Sequence, residues 1–272
     1  MNVRELIKKY NVKPKRSAGQ NFLINPEPLH QIVKAAELTD QDDVLEIGPG
    51  LGVLTEELLP RVKRVVTVEL DRSLIYVLKK QFKRAENLTI INNDVLKLPI
   101  EEIVDNFEGE KYKIVANIPY NITSHFLRKF LEHDLRPTKM VLLVQKEVAE
   151  RVVAEPGKMS LLALSVQLFA KPRIVTIVGA KSFFPAPKVD SAVLDLEVTG
   201  PRFEVDQKRF FQLSKIGFSA KRKQLKNNLS AGLRISSDEI GQKLQELGLK
   251  ETVRAQELSV ENWADLTKKL PI

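Results

Sequence analysis

The chain has 272 residues, of which 43% are hydrophobic and 29% charged, with no cysteine and a formal net charge of +8. This length suits one large domain or a large and a small one, because cores tend to split before roughly 300 residues, and the lack of cysteine excludes disulfides, thiolate metal sites and sulfur nucleophiles. No apolar run approaches the roughly 18 residues a membrane span requires. The opening Met-Asn-Val-Arg-Glu-Leu lacks a basic-then-apolar signal pattern, so a cytoplasmic protein with no membrane association is expected. His30, His125 and His133 show no metal-pair spacing, so no protein-bound metal is expected.

Residues 1–21 hold six Lys/Arg against one acid, and Lys13, Lys15 and Arg16 are candidates for phosphate contacts. Beyond this arm, helical patterns near 27–38, 51–60, 72–84, 122–132 and 146–154 alternate with β-rich runs. Those runs are Asp43–Ile47, Arg64–Glu69, Leu88–Asn92, Tyr112–Ala116, Met140–Val144 and Ser191–Val198. The alternation predicts an α/β fold, with a mostly parallel sheet covered by helices on both faces and a ligand site at the carboxyl ends of its strands.

Past Pro201 the apolar residues recur at helical spacing, from Phe210 and Leu213 through Trp263 to Leu270, with Ser219, Ser236 and Ser259 as expected N-caps. This predicts a division into 1–200 and a small all-helical domain over 201–272. Residues 202–234 hold nine Lys/Arg against two acids, among them Lys221, Arg222, Lys223 and Lys226. One such segment alone reads equally well as a solvated charge run. Two of them bracketing a nearly neutral middle point to a polyanion partner.

The strand ends carry the chemistry. The first is followed by Gly48, Gly50 and Gly52 at alternate positions, where the lack of a Cβ permits a sharp turn and close approach to a ligand. The dinucleotide fingerprint is G-x-G-x-x-G; here the spacing is G-x-G-x-G. A nicotinamide cofactor stays open, and S-adenosylmethionine, which carries no phosphate, fits better. The second strand ends in Glu69, suited to accept from ribose hydroxyls, and the third is followed by Asn93-Asp94, where Asp94 suits an adenine amine. The fourth runs into Asn117-Ile118-Pro119-Tyr120. An adenine amine is a poor nucleophile because its lone pair is delocalised into the ring. Acceptors from Asn117 and the Ile118 carbonyl, held by rigid Pro119, would favour a tetrahedral nitrogen as the transition state forms, with Tyr120 stacking on the base.

Six segments, "GQNFL" (19–23), "EIGPGLGVLT" (46–55), "NIPYN" (117–121), "VQKEVAERV" (144–152), "FFPAPKVDSAVL" (183–194) and "KRKQLKNNL" (221–229), closely resemble the bacterial 16S ribosomal RNA adenine-N6 dimethyltransferases of the KsgA type. The resemblance implies a Rossmann-like class I methyltransferase sheet with a small helical C-terminal domain that binds RNA. It also implies transfer of methyl groups from S-adenosylmethionine to two neighbouring adenines in the 3′-terminal hairpin loop of 16S rRNA, within an immature 30S subunit; a monomer is expected. Matching positions assign cofactor contacts to Asn21, Leu23, Gly48, Gly50, Glu69, Asp94 and Asn117, and catalysis to Asn117, Ile118, Pro119 and Tyr120. Ala18 and Asn93 depart from the family's usual residues beside those contacts. The expected chemistry is an in-line displacement without a covalent enzyme intermediate. Two other readings are a 23S rRNA dimethyltransferase of the macrolide-resistance type and a non-catalytic 30S assembly factor.

Overall fold

The computed structural model describes residues 3–15, 19–109 and 111–270. The chain forms two compact units, Met1–Ala149 with Lys171–Val198, and Glu150–Ala170 with Thr199–Ile272. Glu150–Ala170 thus groups with the C-terminal helices, whereas its sequence position had placed it with the sheet.

The first unit contains α1 (Val3–Lys9), β1 (Phe22–Leu23), α2 (Pro26–Ala36), β2 (Asp43–Ile47), α3 (Val53–Leu58), β3 (Arg64–Glu69), α4 (Arg72–Gln81), β4 (Leu88–Asn92), α5 (Ile100–Val104), β5 (Lys113–Asn117), α6 (Thr123–Leu131), β6 (Lys139–Gln145), the start of α7 (Lys146–Val152), β7 (Ala170–Val178), β8 (Phe183–Phe184) and β9 (Ser191–Val198). Seven strands form one sheet in the order β4-β3-β2-β5-β6-β9-β7, and β1 pairs with β8 in a separate ribbon. β2 pairs in parallel with β3 and β5, β3 with β4, and β5 with β6, while β9 runs antiparallel to β6.

The strand order places successive strands β2, β3 and β4 outward on one side, and β5 and β6 on the other. The carboxyl ends of β2 and β5 therefore flank the point where winding reverses, which is where open α/β sheets leave a crevice. Every residue of β2 is buried, as a parallel strand covered on both faces requires. Leu29, Ile32 and Ala36 of α2 pack on Val44, Val65, Val115, Val141 and Val193 of the sheet. Val3 and Leu6 of α1 cluster with Phe22, Leu51, Leu74 and Val77.

β2, β3, β4 and β9 match the runs expected from sequence, and β5 lies one residue further along than its run. That shift makes Asn117 the last strand residue. α1, β1, α5, β7 and β8 were not anticipated.

The second unit holds the rest of α7, then α8 (Leu161–Gln167), α9 (Gln207–Gly217), α10 (Leu225–Leu233), α11 (Ser237–Glu246) and α12 (Val260–Lys269). Phe210, Leu213, Leu225, Leu229, Ile240, Leu244, Trp263 and Leu266 are fully buried. Ser236 and Ser259 cap α11 and α12 as expected. Ser219 caps nothing: it lies in the turn after α9, whose own cap is Asp206, and α10 begins after Gln224. That turn is stapled by buried Asn228, whose Nδ2 donates to the carbonyls of Gly217 at 2.6 Å and Ala220 at 3.1 Å.

Candidate active site

The turn after β2 places Gly48, Gly50 and Gly52 at φ of 62°, 60° and 76°, a region L side chains avoid. Space is also tight at two of them, and at Gly52 a side chain would have to displace its neighbour. A Cβ on Gly50 would stand 3.2 Å from the Phe22 ring, and one on Gly52 only 2.4 Å from the Phe82 ring. Glycine here lets the backbone descend between two aromatic rings and leaves the inner wall of the crevice bare.

Glu69, at the end of β3, is buried. Its Oε2 accepts from the Gly50 N–H at 3.2 Å and its Oε1 from the Asp71 N–H at 2.8 Å. Burial raises its pKa and the two N–H donors oppose the rise. The carboxylate is thereby fixed at the glycine turn, with lone pairs to spare for hydroxyl donors.

Behind it, Glu46 of β2 is wholly buried and accepts from the Thr55 hydroxyl at 2.6 Å. Burial, with the neighbouring Glu69 charge, pushes its pKa up to about 8, against the Thr55 bond. Burial thus favours the protonated form of Glu46 at neutral pH.

Asp94 follows β4. Its own N–H donates to the Asn93 side chain at 2.8 Å, and its Oδ1 accepts from the Leu96 N–H at 2.9 Å.

At the end of β5 the Asn117 Nδ2 donates to the Asn21 carbonyl at 3.4 Å, which leaves its Oδ1 as an acceptor. The Ile118 N–H donates to the Leu143 carbonyl at 3.1 Å, extending the β5–β6 ladder one residue into the turn. The Tyr120 hydroxyl lies 2.6 Å from the Ser191 Oγ. Burial raises its pKa, so the phenol stays protonated.

Asn21, Leu23, Gly48, Gly50, Glu69 and residues 117–120 all line one cavity. Asp94 lines an adjoining hollow with Leu70, Asp71 and Asn121, and Gly48 and Pro119 border both spaces. Every residue expected as a cofactor contact or in catalysis lines one or other of these spaces, whereas Gly52 lines neither.

The expected phosphate contacts divide. Lys13 is exposed in the first unit, and Lys221, Arg222 and Lys223 are exposed on the α9–α10 turn. Lys15 and Lys226 are instead held by carboxylates, Asp71 at 2.7 Å and Glu251 at 2.8 Å, which cancels much of the charge they would offer a phosphate. Arg16 and Ala18 lie outside the described residues. Among the described residues no cluster of potential metal ligands occurs, and no helix is long and apolar enough to cross a membrane.

Sequence reasoning missed Glu46, Thr55, Asp71 and Ser191. Glu46, Thr55 and Ser191 stand inside motifs already singled out; what was missing was their partner, which only the fold supplies.

Comparison with known proteins agrees with this geometry. The family model described as ribosomal RNA adenine dimethylase matches residues 11–271. The ribosomal RNA small subunit methyltransferase A of Dehalococcoides mccartyi strain CBDB1 is 44% identical over 265 residues, covering 97% of this chain and 90% of that protein. The protein of the same name from Clostridioides difficile strain 630 is 39% identical, covering 97% and 93%. Among solved structures, a dimethyladenosine transferase from Plasmodium falciparum superposes with a TM-score of 0.77 at 31% identity, over 90% of this chain and 95% of that one. The 23S rRNA methyltransferase ErmE superposes at 0.74 with 27% identity, over 92% and 99%. A cavity at the switch point of a parallel sheet, a matching family model over nearly the whole chain and close relatives of one name lead to one conclusion: this chain belongs to the ribosomal RNA adenine dimethylase family.

Proposed function

We propose that this chain is a cytoplasmic, monomeric enzyme that uses S-adenosylmethionine to dimethylate the N6 amines of two adjacent adenines in the 3′-terminal hairpin loop of 16S rRNA, within an immature 30S subunit. The observation that carries the reading is the meeting of residues 117–120 with Glu69 and the glycine turn around one cavity.

The residues present fit that cofactor. Glu69 offers a fixed carboxylate for a ribose, Asp94 an acceptor for an adenine amine, and the bare glycine turn with Asn21 and Leu23 a close-fitting wall for the amino-acid part. When bound, S-adenosylmethionine supplies an electrophilic methyl carbon.

The chain's own residues prepare the nucleophile. Asn117 Oδ1 and the Ile118 carbonyl accept the hydrogens of the target amine as its nitrogen becomes tetrahedral, and being fixed beforehand they need no reorganisation at the moment of reaction. The Tyr120 ring stacks on the base, and its bond to Ser191 sets the angle at which it does so. The base must leave its stack to reach this depth. Lys13, Lys221, Arg222 and Lys223 contact phosphates, which orient the RNA without reading its sequence.

The large-subunit alternative is favoured by the likeness to ErmE. Relatives named for the small subunit match at 37–44% identity against 27% for ErmE, and this favours 16S rRNA. Incubating the protein and labelled methyl donor with separated, unmethylated 30S and 50S particles tests the choice. Label in 30S RNA is expected; label confined to 50S RNA overturns it.

A further inference from the structure

Asp71 lines the hollow that also holds Asp94 and Lys15, yet it plays no part in the mechanism above. Its side chain is only 11% exposed and both of its oxygens are engaged. Oδ1 accepts from the Ser73 N–H at 3.0 Å and from the Ser73 hydroxyl at 2.7 Å, capping α4. Oδ2 takes the Lys15 ammonium at 2.7 Å and the Gln20 Nε2 at 3.0 Å. Its backbone N–H is the one that holds Glu69.

The arm is closed on itself at the same place. The Lys15 N–H donates to Gln20 Oε1 at 2.8 Å, and the Gln20 N–H to the Lys15 carbonyl at 3.3 Å. Both ends of the 15–20 loop therefore grip one carboxylate. The line of contacts continues: Asn21 Nδ2 donates to the Gly19 carbonyl at 3.1 Å, and the Asn21 carbonyl accepts from Asn117. Hydrogen bonds on either side, joined by the backbone of residues 19–21, thus connect the flank of Glu69, through Asp71 and Gln20, to the amide at the end of β5.

A simple helix cap would need only Ser73 as its partner, and a simple surface ion pair would sit with both groups in water. Neither describes a nearly buried carboxylate joined to two residues of another segment. Burial works against its charge, and Lys15, Ser73 and Gln20 outweigh that, holding its pKa below the usual range.

We propose that Asp71 and Lys15 form a clasp that positions the 19–23 wall of the methyl-donor site, so that Lys15 serves donor binding and not RNA phosphates. This rests on reading the cavity as the methyl-donor site. Asp71 is a positioning residue, acting on the donor through Gln20 and Asn21.

The test is calorimetric titration of S-adenosylhomocysteine into the full-length wild type, Asp71→Asn, Lys15→Gln, Lys15→Arg and the Asp71→Asn/Lys15→Gln double variant, with RNA binding followed over a salt series. Asn at 71 keeps an oxygen for the α4 cap while losing the charge. The clasp predicts that Asp71→Asn and Lys15→Gln each weaken binding by about tenfold, as loss of one charge-assisted bond implies. It also predicts that the double variant is no weaker than the worse single, and that Lys15→Arg retains most of the affinity. In turnover the loss appears in KM for the donor more than in kcat, and Lys15→Gln leaves the salt dependence of RNA binding unchanged. Should Asp71→Asn fail to fold, Lys15→Gln, whose side chain is 56% exposed, carries the same test. Unchanged affinity in Lys15→Gln, additive losses in the double variant, or a shallower salt dependence with affinity intact overturns the clasp. A wild type that does not bind S-adenosylhomocysteine defeats the cavity reading together with the clasp, whereas the preceding outcomes defeat the clasp alone.

Discussion

The Tyr120 hydroxyl and the Ser191 Oγ, 2.6 Å apart, join the turn after β5 to the first residue of β9, 71 residues further along the chain. Ser191 is fully buried, so water is no ready substitute for the phenol at its hydroxyl. Ser191→Ala leaves the phenol without its partner, at a cost of about 1–3 kcal/mol, and frees the ring to rotate. Methyl transfer falls while methyl-donor affinity holds. Tyr120→Phe strands the serine in the same way, and the double variant is less destabilised than the two singles added together, because it removes both halves of the pair. Urea denaturation with donor titration checks each value.

Glu46 makes stability depend on pH in an unusual direction for a carboxylate. Its folded pKa, about 8, lies above the ordinary value of 4.5, so between these limits the folded chain binds more protons than the unfolded one. Stability from this group is present below pH 4.5 and is lost as pH rises through 8. Glu46→Gln, neutral at every pH, flattens this slope, and its melting temperature relative to wild type climbs between pH 6 and pH 9. A wild type whose contribution from this site grows over that range contradicts the assignment.

Gly52→Ala tests the glycine turn apart from ligand binding. The residue is held at φ of 76° and a Cβ would meet Phe82 at 2.4 Å. The backbone penalty alone is about 1 kcal/mol, and displacing a packed ring adds about 1–3 kcal/mol more. Chemical denaturation is expected to show a loss in the range of those two contributions combined.

These results show where sequence patterns suffice and where they stop. β2, β3 and β4 were legible because each is a short β-rich run bounded by turn residues, and Glu69, Asp94 and Asn117 because strand ends in such sheets face the ligand. α1 was readable too: Val3, Leu6, Ile7 and Tyr10 keep helical spacing, and the high charge of the arm masked it. The grouping of Glu150–Ala170 with the later helices has no local signature, since only long-range packing decides it. The same holds for Lys15 and Lys226, whose carboxylate partners lie 56 and 25 positions away.

For RNA, Lys221→Gln/Arg222→Gln/Lys223→Gln removes exposed charge and is expected to make the log-log salt dependence of binding shallower by about 2–3 units, given roughly 0.7–0.9 per phosphate neutralised. Lys226→Gln instead removes the ion pair to Glu251, which keeps its bond from Gln245. Its effect appears in the stability of the folded chain, with the salt dependence little changed. Filter binding across a salt series, paired with thermal melts, separates the two.

The most direct test of the account is mass spectrometry of small-subunit ribosomal RNA after unmethylated 30S particles have been incubated with S-adenosylmethionine and either the wild type or Asn117→Ala. The account predicts N6,N6-dimethyladenosine at two neighbouring positions with the wild type, and none with the variant even though it still binds S-adenosylhomocysteine. Equal dimethylation by Asn117→Ala, or no dimethyladenosine with the wild type, would contradict it.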